Sequence, residues 1–525
     1  MPTYLEEEFT PEEKSILDRY FTDLKSPVAA LVNMPDSTKA ALFARYSRTT
    51  KSLKRLFLDE FYDPTEENLV EGRTGKQKAS ELFRRVLAEY GDDSVAQLAG
   101  VHISCEQVSN ILTKILERGR LMGYLEKSTR YVFYGDKQGG YYRYYRDPVL
   151  LKGPHGQKYV QAMDGLFKAY EQVFEKVRAM FDMEIPEEDK AARRASRAAA
   201  LDVARGLLPA GTLSNLGIFG SAQAYEQMIL RLRSNPLPEA REYAELILVE
   251  IKKVIPDFLT RLDRVERGGV WVDYQVERKQ ALEQSAKELL DPVIPLEQIS
   301  QTRLLSWNDN AETEIVASAL FPYSSLPLDV ILEQVKKMSK AQKEEVFQKG
   351  VGTRLNRRHH PGREWEVADY EFEVISDYGA FRDLQRHRLL TIEWQRLSPE
   401  LGYKIPDEVI KAGAGLIWAE AVAEAERAYM KIAKDSPSQA SYLLTMQHRI
   451  RYVIKMNARE AMHLIELRSS PQGHAAYRKV AQDMQRLIRD VAGHTLVAEA
   501  MQFVNQEDVH LGRYEAEKRL NEPSE

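Results

Sequence analysis

At 525 residues the chain is too long for one ordinary core, and at least two domains are expected. Its 43% hydrophobic and 29% charged residues are those of a globular protein, and a formal charge of -5 gives no general attraction to nucleic acid or a membrane, so neither is expected as a partner. Any phosphate recognition must come from local arginine clusters. The start of the chain is acidic at Glu6-Glu7-Glu8, unlike a secretory signal, and Cys105 stands alone, which excludes an internal disulfide and a zinc ribbon. A cytoplasmic location and no metal site follow as expectations.

In chain order, Ala41-Leu42-Phe43 with Tyr46-Ser47 is faintly echoed by Ala319-Leu320-Phe321 with Tyr323-Ser324. Gly72-Arg73-Thr74-Gly75-Lys76 is too short for a P-loop, and Gly350-Val351-Gly352 lacks the third glycine of a dinucleotide fingerprint; both predict turns. Val101, Ile103 and Cys105 alternate with polar residues, as a half-buried strand would. Arg118-Gly119-Arg120 follows, then Glu126, Ser128 and Arg130; clustered guanidinium groups with a hydroxyl suit an anionic ligand, while a solvated surface run, or arginines paired with internal acids, has the same composition. Apolar residues at three- and four-residue steps from Val160 to Phe181 predict an amphipathic helix. The uncharged stretch Gly206 to Tyr225 holds four glycines and a proline, and predicts a buried element beside a ligand rather than a spanning helix.

The order then repeats. A strand is expected over Tyr370, Phe372 and Val374, followed by Arg386-His387-Arg388. A helix is expected from Val409 through Leu416 and Val422 to Tyr429, its start marked by Pro406-Asp407-Glu408. Asn457, Arg459, His463 and Arg468 lie on a further expected helix, where the bland reading is a polar face with an internal Glu466–Ser470 pair. Two domains, 1–275 and 311–525, are therefore expected, joined by a connection over 276–310.

Arg118-Gly119-Arg120, seven residues, then Ser128-Thr129-Arg130-Tyr131 resembles the signature of flavin-dependent thymidylate synthases, as do Ala204-Arg205-Gly206-Leu207-Leu208-Pro209, Arg386-His387-Arg388, Met456-Asn457-Ala458-Arg459 and Glu466-Leu467-Arg468. The resemblance covers about 80–525 and implies a helix-rich α+β fold made of two fused, diverged copies of one domain, each an antiparallel or mixed sheet flanked by long helices. Gly119 stands where the family has His, and Ser221-Ala222-Gln223 where it has Asn-x-Arg. In the second half Arg396-Leu397-Ser398-Pro399 replaces Ser-x-Arg-Tyr, and Ser441 replaces the arginine matching Arg205. Each half thus keeps what the other lacks, which implies composite sites.

What the resemblance implies is reductive methylation of dUMP with methylenetetrahydrofolate, FAD and NADPH, in a homodimer forming a pseudo-tetramer. Glu126, Ser128, Arg130, Arg205 and Arg468 would bind the nucleotide, with Arg468 and Ser128 nearest the chemistry. Arg386, His387, Arg388, Asn457, Arg459 and His463 would bind FAD. The alternative is a non-catalytic homologue that binds flavin or nucleotide in a regulatory or structural role. A Pro-Cys-His nucleophile is absent, since Cys105 sits between Ser104 and Glu106.

Overall fold

The computed structural model describes residues 7–47, 49–62, 96–130, 132–183, 185–290 and 301–507, so Gly72–Lys76 lies outside it. Two compact units divide the chain: 1–106 with 119–126 and 215–291, and 107–118 with 127–214 and 292–525.

The first half supplies strand β1 (Gly100–Ser109), helix α1 (Asn110–Leu116), β2 (Met122–Glu126), α2 (Gly156–Asp182), α3 (Lys190–Ala204), β3 (Leu213–Ser221) and α4 (Ala222–Arg233). The second half supplies β4 (Thr302–Trp307), β5 (Asp369–Asp377), α5 (Tyr378–Leu384), β6 (Thr391–Trp394), α6 (Gly415–Ile432), β7 (Arg449–Asn457), α7 (Ala458–Arg468) and α8 (Ala475–Asp490). One sheet runs β1-β3-β2 and the other β4-β5-β7-β6, so both have the same core order with β4 added at one edge. β2 pairs antiparallel with β3, and β5, β6 and β7 pair antiparallel too.

Local chemistry repeats at the strand ends. Ser109, Asp377, Ser221 and Asn457 each close a strand and cap the next helix, accepting the backbone N–H of Leu112, Ala380, Ala224 and Glu460 at 3.0, 2.8, 3.3 and 2.9 Å. Each cap satisfies a donor that has no partner within its helix.

Within the second unit the corresponding turns Arg205–Leu207 and Ser441–Leu443 lead into segments that bond reciprocally. Ala210 N–H donates to the Leu444 carbonyl at 2.7 Å, and Met446 N–H to that of Leu208 at 2.9 Å. Gly211 N–H reaches Tyr442 and Gln447 N–H reaches Gly206 in the same exchange, a local two-fold relation between first-half and second-half segments. Around it α2 packs on α3 and α6, burying Met163, Leu166, Phe167, Tyr170 and Val177. The periodicity from Val160 to Phe181 therefore does mark one long helix.

The expected helix from Val409 to Tyr429 is broken. Asp407–Lys411 is a separate short helix, ended by Gly413 at φ 66°, where Ala414 N–H turns back to the Val409 carbonyl at 2.9 Å. The buried face shifts across the break: Leu416, seven residues on from buried Val409, is exposed, while Trp418 and Val422 are buried. The stretch expected to connect the halves holds much of a helix, Val270–Leu289, and β4; residues 291–300 are outside the description. The uncharged stretch after Gly206 forms β3, with Leu216 and Ile218 buried, and no described helix is long and apolar enough to cross a membrane. Where a turn was expected over Gly350–Gly352, Gly350 and Val351 instead belong to the helix Lys340–Val351, and Gly352 at φ 65° ends it.

Candidate functional site

At the end of α3, Asp202 lies one helical turn before Arg205. Its Oδ1 forms an ion pair with Arg205 Nε at 3.0 Å and accepts from Arg130 Nε at 2.9 Å, while Arg130 Nη2 donates to Oδ2 at 3.1 Å. Arg130 also reaches the Tyr477 hydroxyl at 3.4 Å and the Gln472 carbonyl at 3.2 Å, both from the second half of the chain. Burial opposes charge on Asp202, yet Arg205, His474 and Arg130 hold its carboxyl far below the ordinary range. Arg205 is 4% exposed, and its Nη2 is buried with no hydrogen-bond partner. An arginine donor left in this state is expected where a ligand oxygen completes the set.

A second carboxylate gathers the rest. Asp383, on α5, meets Arg386 Nη1 at 3.4 Å. Burial disfavours its charge, but Arg386, Arg205, Arg468 and Arg382 together lower its pKa. The field at Arg130 includes Asp383 as well. Thus Arg130 and Arg205 of the first half, with Arg386 and Arg468 of the second, surround two half-buried acids inside one unit. Guanidinium groups outnumber the carboxylates there, which suits an anion.

His387 is 7% exposed and has both ring nitrogens engaged. Arg468 Nε donates to its Nε2 at 3.0 Å, and its Nδ1 lies 2.9 Å from Glu460 Oε1. Burial first, then Arg468, push the imidazole pKa down to about 3, against Asp383. Burial raises the Glu460 carboxyl and lowers His463, whose ring centroid lies 5.3 Å from that of His387. The Arg468 guanidinium sits over Tyr477, 5.6 Å from the ring centroid.

Other expected site residues are placed differently. Ser128 accepts the Arg130 N–H at 3.2 Å, which shapes the turn carrying that arginine. Asn457 uses its side-chain oxygen to cap α7, and Arg459 Nε donates to the Pro361 carbonyl at 2.9 Å, with Glu366 at 3.6 Å. Arg388 is half-buried, and Glu126 ends β2 in the other unit. Arg118 lies over Trp394, 5.0 Å from its centroid, and pairs with Glu393. The bland pairing of Glu466 with Ser470 is corrected: the Glu466 carboxylate is buried against Arg354 at 2.7 and 2.6 Å, and Ser470 bonds only the Glu466 backbone carbonyl. Cys105 is buried with its thiol pushed up to about 12 by desolvation, unsuited to nucleophilic attack. Among the described residues no group of His, Cys, Asp and Glu is arranged to hold a metal.

Sequence reasoning missed Asp202, Asp383, Glu460 and Tyr477. The available signal was an acid three residues before a site arginine, at 202/205 and again at 383/386.

A family model described as thymidylate synthase complementing protein matches residues 31–257 and 303–493. A UPF0159 protein of Chlamydia muridarum is 36% identical, over 98% of this chain and 99% of its own length. One from Chlamydia pneumoniae is 37% identical over 98% of each, and one from Thermoplasma acidophilum 30% identical over 92% of this chain and 98% of its own.

Proposed function

The chain belongs to the thymidylate synthase complementing protein family, matched twice along its length, and from that premise we propose a flavin-dependent thymidylate synthase that methylates dUMP at a site composed from both halves. The observation carrying this reading is the meeting of Arg130 and Arg205 with Arg386 and Arg468 around Asp202 and Asp383, with a buried Arg205 donor left over. The excess of guanidinium groups over carboxylates supports an anionic ligand such as a nucleotide monophosphate.

In this reading Arg130 and Arg205 bind the phosphate, pre-aimed by their shared hold on Asp202. Ser128 holds the turn that presents Arg130. Arg468 faces the uracil and stabilises negative charge on the ring as C5 becomes nucleophilic. C5 takes the one-carbon unit of methylenetetrahydrofolate and loses its proton, and the bond from that carbon to the folate nitrogen breaks as tetrahydrofolate leaves. FAD, reduced by NADPH, would supply the hydride that completes the methyl group. Arg386 and Arg388 would hold FAD through its phosphates, with His463 nearby. His387 has both ring nitrogens engaged inside the protein, so its part in the flavin site is to shape it, whereas Asn457 keeps its Nδ2 and Arg459 its Nη2 for the flavin. Two chains would complete a pseudo-tetramer.

The test is a visible spectrum of the purified protein followed by release of tritium from [5-³H]dUMP. A yellow protein with dUMP-dependent release supports the proposal. A colourless protein that does not take up FAD overturns it in favour of a non-catalytic homologue.

A further inference from the structure

We propose that Glu460 and His387 form a relay that aims the Arg468 guanidinium, so that His387 is a positioning residue competent in only one tautomer. The inference rests on the thymidylate synthase reading for what Arg468 does, and on geometry for how it is held.

A guanidinium donates and never accepts. The 3.0 Å contact from Arg468 Nε therefore requires a lone pair on His387 Nε2, and the ring proton must sit on Nδ1. That proton has one acceptor at hand, Glu460 Oε1 at 2.9 Å. The His387 and Glu460 side chains are 3% and 5% exposed, so water cannot substitute for either contact. Glu460 in turn is set by the first turn of α7, where Asn457 Oδ1 holds its backbone N–H at 2.9 Å. The groups facing His387 are Glu460, Arg468, Asp383 and the His463 ring, while Glu460 also faces His360 and Arg459.

With Nε committed to His387, the Nη groups of Arg468 are the part left to meet a ligand. Tyr477 lies along the guanidinium and limits its swing. Protonating His387 on Nε2 would turn the acceptor into a donor facing a donor and release the arginine. The histidine of the Arg-His-Arg run thus acts on the chemistry through Arg468.

Selective ¹⁵N-histidine NMR on the intact chain reads this directly. His387 is expected neutral, protonated on Nδ1 and bare on Nε2, from pH 5 to 8. An Nε2–H tautomer, or titration near the ordinary histidine value of about 6.5, overturns the relay whatever the activity. In tritium release, Glu460→Ala should lower kcat about thirtyfold with KM for dUMP within about threefold, the pattern of a misaimed group acting in the transition state. Glu460→Gln keeps an acceptor for Nδ1–H and should stay within about fivefold of the original kcat. The Glu460→Ala/His387→Ala double variant should be no slower than His387→Ala alone, because both cut one chain of contacts. Additive losses, or a Glu460→Ala defect confined to KM, overturn the relay. A wild-type chain with the expected tautomer but no dUMP-dependent release would overturn the thymidylate reading instead.

Discussion

The two halves keep the same skeleton and differ where the chemistry lies. Ser109 and Asp377, and likewise Ser221 and Asn457, cap corresponding helices in the same way. Counting from those caps, Asp383 corresponds to Ile115, His387 to Gly119, Glu460 to Ala224 and Arg468 to Leu232. From the matching turns, Asp202 and Arg205 correspond to Ser438 and Ser441. Caps are needed by every helix end that must form, so both copies keep them. A ligand site need be built only once, and at these positions each copy has lost the charge that the other retains, although Arg118 and Arg120 still match Arg386 and Arg388.

The largest contrast lies in the Arg468 and Leu232 pair. Arg468→Ala should lower kcat for tritium release about a thousandfold, as loss of one donor to a developing oxyanion does. Leu232→Ala should leave turnover per folded molecule alone and cost about 2–4 kcal/mol in denaturant unfolding, because that position is buried apolar core. If Leu232→Ala impaired turnover as deeply as Arg468→Ala, the functional split between the halves would be broken.

Asp202 against Ser438 comes next. Asp202→Asn leaves two largely buried guanidinium groups without their counter-charge, at a cost of about 3 kcal/mol. Ser438→Ala should stay within about 0.5 kcal/mol, both read from urea midpoints at constant m.

A pH series sharpens the comparison at His387 and Gly119. The folded His387 value, about 3, is below its unfolded value of about 6.5, so between these the unfolded chain binds the extra proton and stability falls as pH falls. At pH 5 this one group should cost about 2 kcal/mol relative to neutral pH. His463 and His474 are shifted the same way, while Glu460, shifted upward, acts in the opposite sense. Thermal melts from pH 7 to 5 should fall steadily, and His387→Gln should flatten the slope; an unchanged slope would remove the neutral buried imidazole from the account.

The smallest effects should be the most alike. Ser109→Ala, Asp377→Ala, Ser221→Ala and Asn457→Ala should each cost about 1 kcal/mol, with no systematic difference between halves. A much larger loss at Asn457 alone would mean that its side chain does more than end a helix.

How much of this was legible in sequence follows the same division. The long helix α2 was readable because its buried residues keep one phase for its whole length, and the strands around Ile103 and Phe372 because they alternate. The break at Gly413 was not, since Val409 and Leu416 are spaced to share one helical face, yet folding buries Trp418 and Val422 and leaves Leu416 exposed. The site arginines were legible through their fixed spacings. Their acidic partners were not, because Asp202 and Asp383 look like ordinary one-turn helix pairs until folding buries them. The division of labour between Arg468 and His387 was also hidden, since it depends on which ring nitrogen meets which neighbour.

A crystal structure of the FAD-loaded chain with dUMP bound would test the composite site most directly. The account predicts the phosphate on Arg205 Nη2 and Arg130, and the uracil against Arg468, in one chain. A nucleotide held by residues of one half alone would contradict it.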